Sequence, residues 1–282
     1  MKIILLAIDF SEGIENCCNY AIRAAGRFDA EIILFHSYFD KFLVAESNFP
    51  TGIETDTLIN RKILQDIKTQ AESDLKNIEN CIVEAYPKAK VKSALSGGDA
   101  EDEIIKAAEE YKADLIMLGS SGKAAKGIFS GSISRKIIEN TQIPVLSIPL
   151  NYTYKPINNI LYPTEFLHDD TKIIKTIFEL LSNFDIKMHC IHLVHPENFK
   201  ASESINLLCA NFKAEIKKEL ICVEMIASSN FLESLQNYAE LHQIDLIAFA
   251  AHKRGFLKEL FTQKLTKRDL FQLQLPMLTI KQ

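Results

Sequence analysis

Short apolar runs alternate with segments of helical spacing along the first half of the chain. The runs at residues 2–9, 31–36, 115–118 and 144–149 are typical of buried parallel strands, and residues 91–95 are also predicted to form a strand. Between them, apolar residues recur three and four positions apart, which predicts helices. The order βαβαβαβαβ predicts an α/β fold with a doubly wound parallel sheet, and such sheets bind ligands beyond the carboxyl ends of their strands.

One stretch, residues 38–61, breaks this alternation. It contains Pro50 and Gly52 and is too long for an ordinary connection between a strand and a helix. We interpret it as either a flap or a surface for a partner. Helices are predicted after it, at residues 63–85 and 100–111.

The pattern begins again in the second half of the chain. Four pairs of segments repeat: 4–10 with 160–166, 34–36 with 190–192, 114–116 with 245–247, and 144–148 with 276–280. The separation between partners falls from 156 to 131 residues along the chain, so the first copy carries an insertion, for which residues 38–61 are the candidate. We therefore predict two tandem five-stranded parallel-sheet domains, at residues 1–150 and 156–282.

A glycine-rich segment follows the predicted strand at residues 115–118. Gly119, Gly122, Gly127 and Gly131 fall within thirteen residues, and Ser132 opens a predicted helix. Such a loop exposes backbone N–H groups and presents the positive end of a helix dipole, which suits a phosphate group. The alternative is a plain tight turn. Neither the P-loop pattern nor the dinucleotide pattern G-x-G-x-x-G is present.

The glycine spacing resembles the signature G-x2-G-x9-G-[ST] of the ATP-binding branch of the universal stress protein family. Gly119, Gly122 and Gly131-Ser132 match it, with a spacer of eight residues, 123–130, in place of nine. Together with the repeat, this makes the chain similar to a tandem universal stress protein over nearly its whole length. The resemblance implies two Rossmann-like, adenine nucleotide alpha hydrolase-like domains that pack as an intramolecular pseudo-dimer, with further homodimerisation left open.

The resemblance also implies a binding site for ATP, ADP or AMP, with Mg²⁺ accompanying the nucleotide. In the family, the acidic residue that ends the first strand approaches the adenine and ribose, as does the residue after the histidine of the second strand. The ribose and phosphates lie along the glycine loop. From the residues alone, Asp9 suits a helix cap as well as a ligand. The implied site consists of Ala7, Ile8, Asp9, Ser37, Gly119, Gly122, Gly131, Ser132 and Ile133.

The second copy lacks the glycines of the first. Nine of the ten glycines lie at or before residue 131, and Gly255 is the remaining one. We predict that this copy binds no nucleotide and is structural or partner-binding. Its residues 253–268 hold six basic residues and one acidic residue, which indicates either a solvated helix face or a docking surface for an acidic protein partner.

Composition narrows the classes of function. A net charge of −5 and a pI near 5.9 argue against nucleic acid as a partner. No apolar run approaches the length of a membrane span, and the N-terminal run of six is too short for a signal peptide. The six cysteines show no C-x-x-C spacing, so reduced thiols and a cytoplasmic location are expected.

No motif nominates a catalytic or metal-binding site. The patterns G-x-S-x-G and H-E-x-x-H are absent. We therefore expect a universal stress protein that binds an adenine nucleotide as a regulatory ligand and is not an enzyme. Two alternatives remain open at this point: a nucleotide-independent stress-response scaffold, and a slow ATPase or nucleotidyl transferase.

Overall fold

The computed structural model describes residues 1–11, 13–38, 54–120, 132–164, 170–198, 203–251 and 273–281. The strands are β1 Ile3–Ala7, β2 Glu31–Tyr38, β3 Lys90–Gly97, β4 Leu115–Ser120, β5 Val145–Pro149, β6 Asn159–Pro163, β7 Lys187–Val194, β8 Ile221–Ala227, β9 Leu246–Ala251 and β10 Met277–Lys281. The helices are α1 Ile14–Phe28, α2 Glu54–Ala85, α3 Ala100–Glu110, α4 Ser132–Asn140, α5 Asp170–Leu180, α6 Glu203–Asn211, α7 Lys213–Lys217 and α8 Phe231–Leu241, with a 3₁₀ turn at Pro196–Asn198.

The strands form one ten-stranded sheet in the order β3-β2-β1-β4-β5-β10-β9-β6-β7-β8. All neighbours are parallel except β5 and β10. The first five strands and the last five have the same order, 3-2-1-4-5, when each set is numbered from its own start. The predicted α/β class with parallel strands is confirmed, and the two five-stranded sets share a single sheet. The predicted domain boundaries remain a prediction.

The two halves of the sheet are related by an approximate twofold axis. At the junction Leu278 of β10 pairs with Leu146 of β5, and these two residues occupy equivalent positions in the sequence repeat. Phe28 and Phe184 are also equivalent, and their ring centroids lie 5.7 Å apart. Because β5 and β10 are antiparallel, the carboxyl edges of the two halves face opposite ends of the sheet.

In each half, an aspartate side chain hydrogen-bonds to the backbone at the start of the first strand. The carboxylate of Asp114 accepts hydrogen bonds from the backbone N–H groups of Lys2 (2.5 Å) and Ile3 (3.0 Å). In the second half, the carboxylate of Asp245 accepts from Asn158 (2.9 Å) and Asn159 (3.0 Å). The sequence repeat therefore extends to this polar contact.

Small residues allow α1 to lie close to the sheet. Cys17, Ala21, Ala24 and Ala25 are all buried, as predicted from their helical spacing, and α1 contacts β1, β2 and β4. Burial of this apolar surface stabilises the end of β1 against its neighbours. The candidate site, which belongs to the first half of the chain, lies at this end of β1.

Two elements differ from their predicted bounds. The helix α2 begins at Glu54, within the stretch predicted to be irregular, because no glycine or proline occurs between residues 53 and 86 to stop it. The strand β4 continues through Gly119 to Ser120, so the glycine-rich connection starts later than its first glycine. Residues 39–53, which hold the rest of the predicted flap or partner surface, lie outside the described residues.

Candidate functional site

The candidate site lies at the carboxyl edge of β1 and β4. Ala7, the last residue of β1, pairs with Phe35 of β2 on one side and with Leu118 of β4 on the other. The chain passes from β1 to β2 in one direction, and from β4 to β5 in the opposite direction. The crevice beyond Ala7 and Leu118 is therefore the topological switch point of this half, where open α/β sheets bind their ligands.

The chain turns sharply after β1. The backbone N–H of Ile8 still donates to the carbonyl of Phe35 (2.8 Å), and Phe10 then adopts a left-handed conformation with φ 53°. The Asp9 carboxylate accepts hydrogen bonds from the backbone N–H (3.1 Å) and the hydroxyl (2.5 Å) of Ser11. This short turn fixes the Asp9 carboxylate at the end of β1. It is not a helix cap, because α1 begins at Ile14 and its N-cap residue, Gly13, is joined by no side-chain hydrogen bond among the described residues.

A buried histidine supports this turn. The Nδ1 of His36 lies 2.7 Å from the carbonyl oxygen of Ile8, and the ring of Phe10 packs against the imidazole with centroids 4.4 Å apart. A carbonyl can only accept, so Nδ1 carries the hydrogen. Burial lowers the pKa of His36, against the opposing effects of the Ile8 hydrogen bond and the charges of Asp9 and Asp74.

Ser37 presents its main chain to the crevice. Its hydroxyl donates to the carbonyl of Gly98 (3.1 Å) on the β3 side. The carbonyl of Phe35 faces β1, because it accepts from Ile8. Alternate residues of a parallel strand direct their backbone groups to the same neighbour, so the N–H and C=O of Ser37 also face the β1 side, just beyond the point where β1 ends.

Gly119 is in close contact with other residues, and a side chain at this position would require the end of the Leu150 side chain to move. A Cβ at this position would lie 2.8 Å from Cδ2 of Leu150 and 3.2 Å from Sγ of Cys17. Burial, together with the neighbouring Cys18 and Asp9, raises the pKa of Cys17 to about 12, so its thiol is protonated at neutral pH. Cys17 is thus a packing residue and not a nucleophile. In the second half Ala250 occupies the place of Gly119.

The structure brings part of the predicted site together. Five residues meet at one edge, on three adjacent strands and the turn after β1: Ala7, Ile8, Asp9, Ser37 and Gly119. Ser132 opens α4, its side chain lying outside the described residues, and Ile133 is half-buried against the core. Gly122 and Gly131 lie outside the described residues. The part of the site formed by the glycine loop remains a prediction.

Sequence reasoning missed the contribution of His36. The histidine recurs as His192 in the second copy, and that recurrence was the available signal. In the second half, Nδ1 of His192 lies 2.7 Å from the carbonyl oxygen of Thr164, and the N–H of Thr164 donates to Ile191 (2.8 Å). The bond from the histidine of the second strand to the residue that follows the first strand is therefore repeated in both halves.

The lining of the second half differs from that of the first. The buried carboxylate of Asp170 accepts hydrogen bonds from the hydroxyls of Tyr162 (2.7 Å) and Thr164. The equivalent positions of the first half hold leucine and isoleucine. A buried polar network thus replaces apolar side chains beneath the end of β6. The basic segment 253–268, a predicted solvated face or docking surface, lies outside the described residues.

Three further features of the described residues concern metal ions, membranes and thiols. Within them, no group of three or more His, Cys, Asp or Glu side chains could hold a metal ion. No helix in the same part of the chain is long and apolar enough to cross a membrane. All six cysteines are free thiols.

The first half of the chain matches a known sequence family. The model of the Universal stress protein family matches residues 1–149. Universal stress protein MJ0531 from Methanocaldococcus jannaschii is 28% identical over 148 residues, which cover 52% of this chain and 81% of that protein. Universal stress protein MJ0577 from the same organism is 28% identical over 159 residues, which cover 52% of this chain and 94% of that protein.

Solved structures resemble the whole chain in fold. A universal stress protein from Archaeoglobus fulgidus superposes with a TM-score of 0.69 at 17% identity, covering 99% of this chain and 96% of its own. The protein PA1789 from Pseudomonas aeruginosa, described as functionally unknown, superposes with a TM-score of 0.57 at 15% identity. The superposition covers 100% of this chain and 92% of that protein. At these identities the likeness establishes the fold alone.

Proposed function

The chain belongs to the universal stress protein family, whose model matches more than half of its length, and on that premise we propose that its first half binds ATP or a related adenine nucleotide as a regulatory ligand. The proposed site consists of the edge residues Ala7, Ile8, Asp9, Ser37 and Gly119 together with Gly122, Gly131, Ser132 and Ile133 of the following loop and helix.

One observation carries this proposal: the main chain of Ser37 faces the side of β1 just beyond the end of that strand, at the edge of the sheet where Asp9 follows β1. The edge of adenine carries an acceptor nitrogen next to an amino donor, which complements an N–H and a C=O on one residue. A carboxylate suits the hydroxyls of ribose. The glycines that follow β4 and the N-terminus of α4 suit the phosphates.

In this proposal, Mg²⁺ is not held by a set of protein ligands. The described residues hold no cluster of metal ligands, and Mg²⁺ in nucleotide sites is bound chiefly by phosphate oxygens and water. The ion would therefore enter with the nucleotide and neutralise phosphate charge.

We propose that the second half is a structural or partner-binding copy in an intramolecular pseudo-dimer, within a cytoplasmic protein. Support comes from the absence of the loop glycines in its sequence and from the Asp170 network at the end of β6. The antiparallel pairing of β5 with β10 supports the pseudo-dimer.

The test is to purify the protein without added nucleotide, denature it, and identify the released ligand by chromatography and mass spectrometry. We expect near-stoichiometric ATP, ADP or AMP from the wild type and none from Gly122→Val. The matched control is Gly255→Val, the same substitution in the second copy, which should release as much nucleotide as the wild type. An empty wild type that also gives no heat of binding with ATP would contradict the proposal.

Each outcome also addresses a rival function. The spacer 123–130 is one residue shorter than the family signature, which favours a nucleotide-independent scaffold if the protein proves empty. Time-dependent conversion of bound ATP to ADP by the wild type, absent from Gly122→Val, would favour the slow ATPase. A regulatory site predicts bound ATP that stays intact over the same period.

A further inference from the structure

We propose that His36 is a positioning residue for the nucleotide site: it ends the β1–β2 hydrogen-bond ladder and so keeps the main chain of Ser37 open to a ligand. This inference rests on the proposed function and adds a residue that does not itself touch the nucleotide. It assigns the histidine a task distinct from filling the core.

The ladder shows what His36 prevents. β1 and β2 pair in register from Ile3–Glu31 to Ala7–Phe35, and the N–H of Ile8 donates to Phe35 (2.8 Å). In a parallel ladder the next bond would run from the N–H of Ser37 to the carbonyl of Ile8. In this protein the imidazole of His36 takes that carbonyl instead, at 2.7 Å.

The turn after β1 removes the second potential partner of Ser37. A continued ladder would bring the N–H of Phe10 to the carbonyl of Ser37. Phe10 is instead left-handed, with φ 53°, and its ring packs on His36. One buried side chain thus stabilises both features that stop the ladder at Ser37.

The second half supplies a matched control for this effect. His192 makes the equivalent bond to Thr164, also at 2.7 Å, in the copy proposed to bind no nucleotide. Loss of either histidine removes a hydrogen bond from the imidazole to a backbone carbonyl, which is buried in the first half and part-buried in the second. Only loss of His36 should affect the ligand.

The experiment compares wild type, His36→Leu, His36→Asn and His192→Leu by ATP calorimetry, thermal unfolding and NMR amide exchange at Ser37. Asparagine places an N–H donor where histidine has Nδ1. We expect His36→Leu to weaken ATP binding about tenfold, as for the loss of one well-made hydrogen bond. His36→Asn should restore most of the affinity, and His192→Leu should lower the unfolding temperature without changing ATP affinity.

Amide exchange tests the ladder without any nucleotide. In the unliganded wild type we expect the Ser37 amide to exchange faster than the Phe35 amide, and in His36→Leu we expect it to become protected by the carbonyl of Ile8. A Ser37 amide that is as protected as Phe35 in the unliganded wild type would overturn the inference. If His36→Leu does not fold, His36→Gln, whose donor lies one methylene further out, takes its place against His36→Asn.

The outcomes separate the two proposals. A wild type that binds ATP, together with a His36→Leu variant that binds it as tightly, refutes the role of His36 alone. A wild type that binds no adenine nucleotide refutes the proposed function, and the positioning of a nucleotide by His36 fails with it.

Discussion

At the scale of single residues, glycine is required where the end of β5 meets α1. Gly13 has φ 87°, and a Cβ there would lie 2.9 Å from Cβ and 3.0 Å from the carbonyl oxygen of Leu150. The same carbonyl accepts a hydrogen bond from the side-chain amide of Asn16 (2.6 Å). Leu150 also fills the space beside Gly119. The turn before α1, the end of β4 and the end of β5 therefore depend on one another.

We predict that Gly13→Ala destabilises the protein by about 1–3 kcal/mol, because alanine must adopt a left-handed conformation and displace Leu150. The control is Gly26→Ala in α1, where a Cβ meets nothing within 4 Å. That substitution should stabilise by about 0.5–1 kcal/mol through helix propensity. Urea unfolding of both variants measures the difference, and equal stabilities would refute the role assigned to Gly13.

Residue-scale features were predictable only where they sit within one segment of sequence. The resemblance located Asp9 and Ser37 at strand ends; in the structure Asp9 lies two residues after the end of β1, and Ser37 is the penultimate residue of β2. The bond from His36 to Ile8 and the contact between Gly119 and Leu150 join separate segments. The residues that they contact can be identified only when the strand register is known. The glycine pattern alone therefore predicted that an open loop begins at Gly119, whereas in the structure Gly119 is still in β4 and packs closely against Leu150.

At the scale of elements, α8 packs on β7 and β8 through a buried polar cluster. The hydroxyl of Tyr238 donates to Glu224 (3.0 Å), so Nδ1 of His189 donates to the Tyr238 oxygen (3.0 Å). His242 stacks on Tyr238 with centroids 4.0 Å apart. The Nε2 of His189 is buried without a hydrogen-bond partner among the described residues, so a second proton there would be unsatisfied.

This cluster predicts a loss of stability in mild acid. Burial, together with His242 and Lys187 and against the charge of Glu224, lowers the pKa of His189 from 6.5 to about 4. The unfolded chain therefore binds the proton first, and the stabilisation present above pH 6.5 is lost as the pH falls towards 4. The loss should be on the order of 2–3 kcal/mol.

The measurement is the free energy of unfolding between pH 7 and pH 4. His189→Phe should flatten the dependence on pH, whatever it does to stability at neutral pH. A slope that persists in His189→Phe would assign the effect to other groups.

Element existence was largely predictable, and the exceptions have identifiable causes. Periodicity marks most of the strands but does not single out β8, because Glu224 interrupts its apolar run. In the fold that carboxylate is satisfied by Tyr238 and by the thiol of Cys222 (2.9 Å). The early start of α2 was missed because Pro50 and Gly52 favoured an irregular stretch that was predicted to extend to residue 61, whereas α2 begins at Glu54.

At the scale of the whole molecule, contacts across the twofold axis join the halves. Phe184 is 7% exposed and packs against Phe28, its equivalent in the repeat. The guanidinium of Arg27 lies 5.7 Å from the centroid of the Phe184 ring, and the backbone carbonyl of Arg27 accepts from the side-chain amide of Asn183 (2.6 Å). These side chains supplement the pairing of β5 with β10.

We predict that Phe28→Ala and Phe184→Ala are not additive. A double-mutant cycle by urea unfolding should give a coupling energy of about 0.5–1.5 kcal/mol, typical of an aromatic pair in contact. The same cycle between Phe28 and Phe212, a buried residue between α6 and α7, should give a value near zero. Equal coupling in both cycles would mean that the phenylalanine contact does not join the halves.

The repeat in the sequence predicted two copies of one fold, and the strand order of both halves agrees with it. The union of the two sets into one sheet was not predictable from periodicity. It depends on the edges of β5 and β10, and an edge strand has the same apolar pattern whether it ends a sheet or continues into another.

The antiparallel union of β5 with β10 has a consequence for how the molecule can diversify. A dimer of identical chains carries every amino-acid change twice, so a loss at one site is a loss at both. Here equivalent surfaces meet within one polypeptide, and each position can change by itself. The first half can therefore carry a glycine-rich segment after its fourth strand while the second half carries a segment with a single glycine, and the covalent chain fixes their ratio at one to one.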